Sequence, residues 1–439
     1  MIDGSSLDAQ ELGLEHPAAS DAFPASPLSL PLPQQVPAVR EAAQALRSIH
    51  PDQRSAGLQA MAAALEADRD EILEANTLDL ETSQEMAVPP LVQAWLKLTP
   101  ERLQSAIAIL QDLSRTSDPI QQVIPGQYQP QNAQVYGQRV PWGVVVLVSE
   151  AFPALGAIAA GLCLRTANAL IVRGSSETSH SNRAIFRSLR QALDLAELPP
   201  ALTLLPVEQG ISIQDVLSQP GLDLVVPYGR QSLIRQVLTS ANVPTIVPGL
   251  GNCYLYWSAT APVERVSWMI KESHYGEPES VNALEKVLVS ASVKLSTLER
   301  LWQELHETGF TVGGDETLRQ QYPQLPLVEG SSWSEPSHDR RIAFRRVEDM
   351  PAAIDWINHH SSGHADAIAT SSYEESRQFS ARLSSSTVYI NASPRFERHP
   401  GSGAHIALGM ASQISARGGS IQGRIGVDAL TRMSQIILG

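Results

Sequence analysis

A chain of 439 residues with only two cysteines, Cys163 and Cys253, offers few candidates for covalent chemistry. A thiolate suits acyl transfer because it is a strong nucleophile and also a workable leaving group. Cys163 lies between Leu162 and Leu164 in a helical stretch. Cys253 follows Gly249-Leu250-Gly251-Asn252 and precedes the strand-like Tyr254-Leu255-Tyr256. Neither has an obvious cation or helix start beside it to lower its pKa, so both read as small core hydrophobes. No serine sits in a Gly-x-Ser-x-Gly elbow. Phosphate binding has two candidate turns, Arg173-Gly174-Ser175-Ser176 and Pro227-Tyr228-Gly229-Arg230, each placed between a strand-like run and a helix. Such turns expose unpaired N–H groups and the positive end of a helix dipole. Glycine turns are also what any parallel α/β protein needs at these junctions, and neither Gly-x-Gly-x-x-Gly nor a Walker sequence is present. Both readings therefore stand. His359, His360 and His364 crowd one stretch, but neighbouring histidines on a helix point about 100° apart and make a poor metal site.

The elements that must position these groups alternate regularly. Strand-like runs at Val144–Val148, Ala169–Val172, Leu202–Leu205, Asp223–Val226 and Pro244–Val247 are separated by helical stretches. Leu170-Ile171-Val172 and Leu224-Val225-Val226 do not alternate with polar residues, which suits parallel strands covered on both faces. A second α/β cycle follows Trp257, with strand-like Lys286–Val289, Ala367–Thr370 and Thr387–Ile390. Ahead of both cycles, Thr99-Pro100-Glu101 reads as an N-cap, a proline at the first helical position and an early acid. The predicted organisation is a disordered Pro/Ala/Ser-rich arm over 1–36, then a nucleotide-binding α/β domain over 37–257 with an edge hairpin near 122–140. A catalytic-type α/β domain follows over 258–400. The segment 401–439 returns to the first domain and ends in a strand that pairs with the hairpin or with a neighbouring subunit.

Composition removes several function classes. The net charge of −14, with no basic cluster, argues against a nucleic-acid partner. No apolar run reaches the roughly 18–20 residues that span a bilayer, and no basic-then-apolar leader is evident. Two cysteines are too few for a disulfide framework, so a reducing, cytoplasmic setting is expected.

Several ordered blocks resemble the glutamate-5-semialdehyde dehydrogenase (γ-glutamyl phosphate reductase) family of the aldehyde dehydrogenase superfamily. They are Ile72-Leu73-Glu74-Ala75-Asn76 with Asp79-Leu80, Arg139-Val140-Pro141-x-Gly143, Arg173-Gly174-x-Ser176-Glu177, Gly249-x-Gly251-Asn252-Cys253, Asn282-Ala283-x-Glu285-Lys286, and Val388-Tyr389-Ile390-Asn391-Ala392-Ser393-x-Arg395-Phe396. The likeness runs from about residue 40 to the end. It implies a Rossmann-type nucleotide-binding domain, a second α/β domain, a small oligomerisation hairpin and a homo-oligomer. It also implies NADPH-dependent reduction of γ-glutamyl phosphate through a cysteine thioacyl intermediate, in proline biosynthesis. Arg173, Gly174, Ser176 and Gly229 would hold NADP.

The same alignment exposes departures. The family's cysteine directly precedes Asn-Ala-x-Glu, and here that position is Val281. The oxyanion asparagine that follows Arg-Pro is Ala154, after Phe152-Pro153. Val247 stands where many members carry glutamate. The family's Gln-Arg becomes Gly276-Glu277, and Glu279 replaces a serine. Three readings follow: a non-catalytic homologue, regulatory or structural, alone or in a hetero-oligomer with an active paralogue; an active reductase; or another enzyme using Glu277 or Glu279 with His274. Rescue of the nucleophile by Ser280 is a further option, although no base partner for it is visible.

Overall fold

The computed structural model describes residues 31–120, 122–124, 134–205, 210–276, 279–337, 340–401, 406–411 and 423–438. The expected arm 1–36 therefore falls largely outside the described residues, as do the hairpin residues 127–133, Glu277, the loop 402–405 and most of the segment 412–424.

Five helices lead the described chain: α1 (Leu32–Ser48), α2 (Pro51–Ala67), α3 (Arg69–Glu85), α4 (Pro90–Leu96) and α5 (Pro100–Arg115). α1 corrects the sequence reading, because it starts inside the expected arm and carries Pro37 in its interior. That proline lacks a donor, which normally costs about 3 kcal/mol. Burial of Leu32, Val36, Val39, Ala43 and Leu46 on the first core offsets it. α5 starts as its sequence predicts, with the Thr99 hydroxyl accepting the Arg102 N–H at 3.3 Å and Pro100 in the first turn.

β1 (Val123–Ile124) and β2 (Gln134–Pro141) precede a four-stranded parallel sheet of β3 (Val144–Ser149), β4 (Ala169–Arg173), β5 (Leu202–Leu205) and β6 (Leu224–Tyr228), in the order β5-β4-β3-β6. Nearly every residue of these four strands is buried. The helices α6 (Pro153–Arg165) and α7 (Ser179–Leu195) follow β3 and β4. The expected strand Pro244–Val247 is not one. Thr245 makes a single parallel bridge to Val225. Pro244 and Pro248 bracket the segment and supply no N–H to extend the ladder.

The second sheet is also parallel. It contains β7 (Cys253–Trp257), β8 (Leu284–Ser290), β9 (Thr311–Gly314), β10 (Arg341–Val347), β11 (Asp366–Ala369) and β12 (Val388–Ile390), in the order β12-β11-β7-β8-β10-β9. β7 shows why its side chains cover two faces: Leu255 and Trp257 enter one core, Tyr254 and Tyr256 the other. β13 (Met410–Ala411) and β14 (Gly423–Arg424) form a short pair, and β15 (Thr431–Leu438) runs antiparallel along all of β2. Ile406, Leu408, Ile425 and Leu430 rejoin the first core. Among the described residues no helix is long and apolar enough to cross a membrane.

Buried polar residues hold this frame, Asn76 and Asp79 of the family likeness among them. The Asn76 amide donates to the Leu96 carbonyl and its oxygen accepts from Leu98 N–H. Asp79 accepts the first N–H groups of α7, from His180 at 3.0 Å and Ser181 at 2.8 Å. Asn168 bonds Gly143 N–H and the Leu430 carbonyl, tying β3's entry to the C-terminal segment.

Candidate active site

The residues just before β8 carry Val281 to the junction between the sheets. Val281 is 2% exposed and packs with Phe396, Ala407 and Met410. Its carbonyl accepts the Gly251 N–H at 2.7 Å, and a Cβ on Gly251 would stand 2.9 Å from that oxygen, so glycine is needed there. An isopropyl group in an apolar nest has no lone pair to offer a carbonyl carbon. The Ser280 hydroxyl is committed to the His274 carbonyl at 2.7 Å. The His274 ring turns the other way: Nδ1 meets the Ile270 carbonyl at 2.9 Å, and burial lowers its pKa to about 4. Serine and imidazole therefore do not form a nucleophile–base pair. Both thiols are buried, Cys163 inside α6 and Cys253 at the start of β7, and desolvation pushes each pKa well up.

Glu279, two residues earlier, is locked. Its Oε1 accepts the Tyr228 hydroxyl at 2.6 Å and Arg398 Nη2 at 2.7 Å, and Arg398 also reaches the Tyr228 oxygen at 2.7 Å. The acid side chain is 7% and the arginine 13% exposed. Burial is the first cause raising the Tyr228 pKa, and the carboxylate and hydroxyl around Arg398 hold its guanidinium firmly charged. Beside this latch, Phe152 occupies the left-handed region (φ 63°) as the residue before α6. Its ring stacks on Trp95 and meets Tyr228 edge-on, each at 4.9 Å between centroids. Ala154 and Phe152 then line a cleft of about 330 Å³ together with Trp95, Ile158, Phe396 and Arg398. Val247 is buried, and the next residue, Pro248, bridges Ala411 next to Met410. Sequence reasoning missed Arg398, which lies 119 residues from Glu279. The only available signal was an unmatched acid at 279, which a buried position would force to find a cation.

The two glycine turns sit at the C-terminal ends of β4 and β6, on either side of β3. Between them stands Glu150. Its carboxylate accepts the Arg230 N–H at 2.8 Å and Arg230 Nε at 2.7 Å, and Ser175 donates its hydroxyl to the Glu150 carbonyl. A Cβ at Gly229 (φ 158°) would stand 2.9 Å from that carboxylate. Arg173 donates Nε and Nη2 to the Ile211 carbonyl at 3.1 and 2.8 Å. A Cβ at Gly174 would fall 2.3 Å from the Asn182 amide nitrogen, so Asn182 would have to give up its place there. Ser176 donates to Glu177 at 3.1 Å.

The sequence pattern of the group described as "Aldehyde dehydrogenase family" matches residues 32–324. A Synechocystis protein named "Gamma-glutamyl phosphate reductase 2" is 45% identical over 398 residues, covering 90% of this chain and 94% of its own. The Gloeobacter violaceus "Gamma-glutamyl phosphate reductase" is 33% identical over 88% of this chain and 91% of its own. The crystal structure of the Thermotoga maritima γ-glutamyl phosphate reductase superposes with a TM-score of 0.84 at 27% identity, over 93% of this chain and 98% of that one. The chain belongs to the γ-glutamyl phosphate reductase family.

Within the γ-glutamyl phosphate reductase family, the α/β architecture expected from the sequence is the one observed. Val281 packs with Met410, Pro248 next to Val247 bridges Ala411 beside it, and Ala154 lines the same cleft as Phe396. Arg173, Gly174, Ser176 and Gly229 gather at the far ends of the first sheet.

Proposed function

We propose that this member of the γ-glutamyl phosphate reductase family does not carry out cysteine-dependent acyl reduction and keeps the fold for a regulatory or structural role. The observation that carries this reading is the state of the thiols: the chain has two, both are buried, and valine fills the position before Asn282-Ala283. A thioacyl intermediate needs an exposed thiolate. Two further features support it. Ala154 offers no side-chain donor to a developing oxyanion, a contribution worth roughly 3–4 kcal/mol elsewhere. Arg398, a cation in the lining of the cleft beside Ala154, is paired to Glu279.

NADP does not fit the second turn, Pro227–Arg230, as it stands. The N–H of Arg230 and its guanidinium, the groups that would meet a diphosphate, are taken by the Glu150 carboxylate. An anion must displace that carboxylate first. A partner, another copy or an active paralogue, is supported by the half-exposed Met433, Ile437 and Leu438 on β15 and by Val123 and Ile124 on β1. The reducing, cytoplasmic setting rests on the two unpaired thiols.

A second reading is favoured by the names of the relatives: an active γ-glutamyl phosphate reductase producing L-glutamate 5-semialdehyde for proline biosynthesis. One assay separates the two. Purified protein is given L-glutamate 5-semialdehyde, phosphate and NADP, and NADPH formation is followed. The non-catalytic reading expects the no-protein rate. Turnover that is lost on Cys253→Ser or Ser280→Ala overturns it and assigns the nucleophile.

A further inference from the structure

The cleft beside Ala154 is shaped for a ligand that its family's acyl phosphate does not resemble. Its inner wall is apolar and buried, built from Trp95, Leu98, Phe152, Leu155, Ile158 and Phe396. Its mouth carries Lys97, Arg102 and Arg395. The one acid in the lining, Glu397, is paired to Arg395 at 3.1 Å. The Lys97 side chain meets no acid among the described residues. α6 opens on the cleft at Ala154, and its preceding residue, Phe152, provides no side-chain cap. Pro153 carries no N–H and the Leu155 N–H returns to the Phe152 carbonyl at 2.9 Å, which leaves the Ala154 N–H as the first-turn donor at the cleft. A volume of about 330 Å³ sits at the low end of small-molecule sites, too small for a dinucleotide and ample for a ring with a short acid tail.

We infer that this cleft binds a small amphipathic carboxylate, with an aromatic or branched aliphatic body against Phe152, Ile158 and Phe396 and its carboxylate at Lys97 and the start of α6. The inference rests on the non-catalytic reading and gives that site a ligand class. An amino acid is disfavoured because its ammonium group would need an acid, and Glu397 is already committed. A phosphate dianion would leave the apolar wall uncovered, so its binding would forgo the area that drives association.

The probe is 3-phenylpropionate, titrated calorimetrically into the full chain. A saturable one-to-one isotherm with a negative heat-capacity change is expected, with L-glutamate and inorganic phosphate giving no saturable heat. Ala154→Trp fills the cleft and weakens binding at least tenfold. Lys97→Glu reverses a charge at the mouth and weakens it about three- to tenfold. Ser105→Trp, an exposed position on the same lining, serves if Ala154→Trp fails to melt like the parent protein. Absence of saturable heat with 3-phenylpropionate overturns the inference, as does binding unchanged in a folded cleft-filling variant or a preference for L-glutamate. Turnover in the reductase assay instead overturns the non-catalytic reading, and the titration then reports separately on the ligand class.

Discussion

Replacing Arg398 by methionine tests whether the site is held shut by electrostatics. The guanidinium touches Glu279 Oε1 and the Tyr228 oxygen at 2.7 Å each, and its Nε reaches the Leu408 carbonyl at 3.2 Å. Unit charges about 4 Å apart interact by roughly 4 kcal/mol at an effective dielectric near 20. Removing one member of a buried pair costs about 3–5 kcal/mol, because the survivor is left charged and desolvated. Glu279 would be such a survivor: its Oε2 is already buried without a partner among the described residues. Arg398→Met should therefore lose about 3–5 kcal/mol. Arg398→Met combined with Glu279→Gln should recover most of that, since no net charge stays behind. Equilibrium urea unfolding, followed by both circular dichroism and tryptophan fluorescence, measures the difference. The two probes must coincide before a free energy is extracted from a chain of this size. A single variant within about 1 kcal/mol of wild type, or a double variant no better than the single, would refute the latch.

Ellman's reagent should find no reactive thiol in the native protein and two in denaturant; prompt native labelling would show a thiol the structure does not expose. Glu150→Gln should tighten NADPH binding at least tenfold, about 1.4 kcal/mol, measured by nucleotide fluorescence, and an unchanged affinity would mean the Glu150 carboxylate does not obstruct the turn. Asp366 is buried and accepts the Tyr254 N–H and the Ser361 hydroxyl at 2.7 Å each, and burial outweighs these bonds to raise its pKa to about 6. The folded carboxyl keeps its proton where the unfolded one has lost it, so this group's contribution to stability falls as pH climbs from about 4 to about 6. Relative to Asp366→Asn, in which the histidine contributions are shared and cancel, wild type should lose up to about 3 kcal/mol across that window. A pH-independent difference in unfolding midpoint would disprove it.

The strands β3 to β6 and the start of α5 were legible because their signals are local: uninterrupted apolar runs, and a cap followed by proline. The beginning of α1 was not, because three prolines outweigh helix propensity until tertiary burial of Val36 and Val39 is known. Pro244–Val247 failed in the opposite sense, with an apolar run whose flanking prolines cannot complete a ladder. The candidate site was half legible. Val281 and Ala154 showed what is missing, yet Arg398 with Glu279 and Arg230 with Glu150 are pairings across 119 and 80 residues, beyond any periodicity. Asn76 and Asp79, which carried the family likeness, bond to backbone and to the Ser181 hydroxyl, so that likeness reports on architecture more than on chemistry.

The pairing of β15 with β2 bears on how the chain is made. The first core takes Ile425, Ala429 and Leu430 from the far end of the sequence, and β2 gains its long partner only when residues 431–438 exist. On a ribosome, β2 waits for that partner while the whole second sheet is synthesised. Its Leu430 and Trp142 neighbourhood stays open until release. Loss of the last residues of β15 would therefore strip the pairing from the Gln134 end of β2, made about 300 residues earlier, and a bulky group attached after Leu438 would be felt there before it was felt at Pro141, the partner of Thr431.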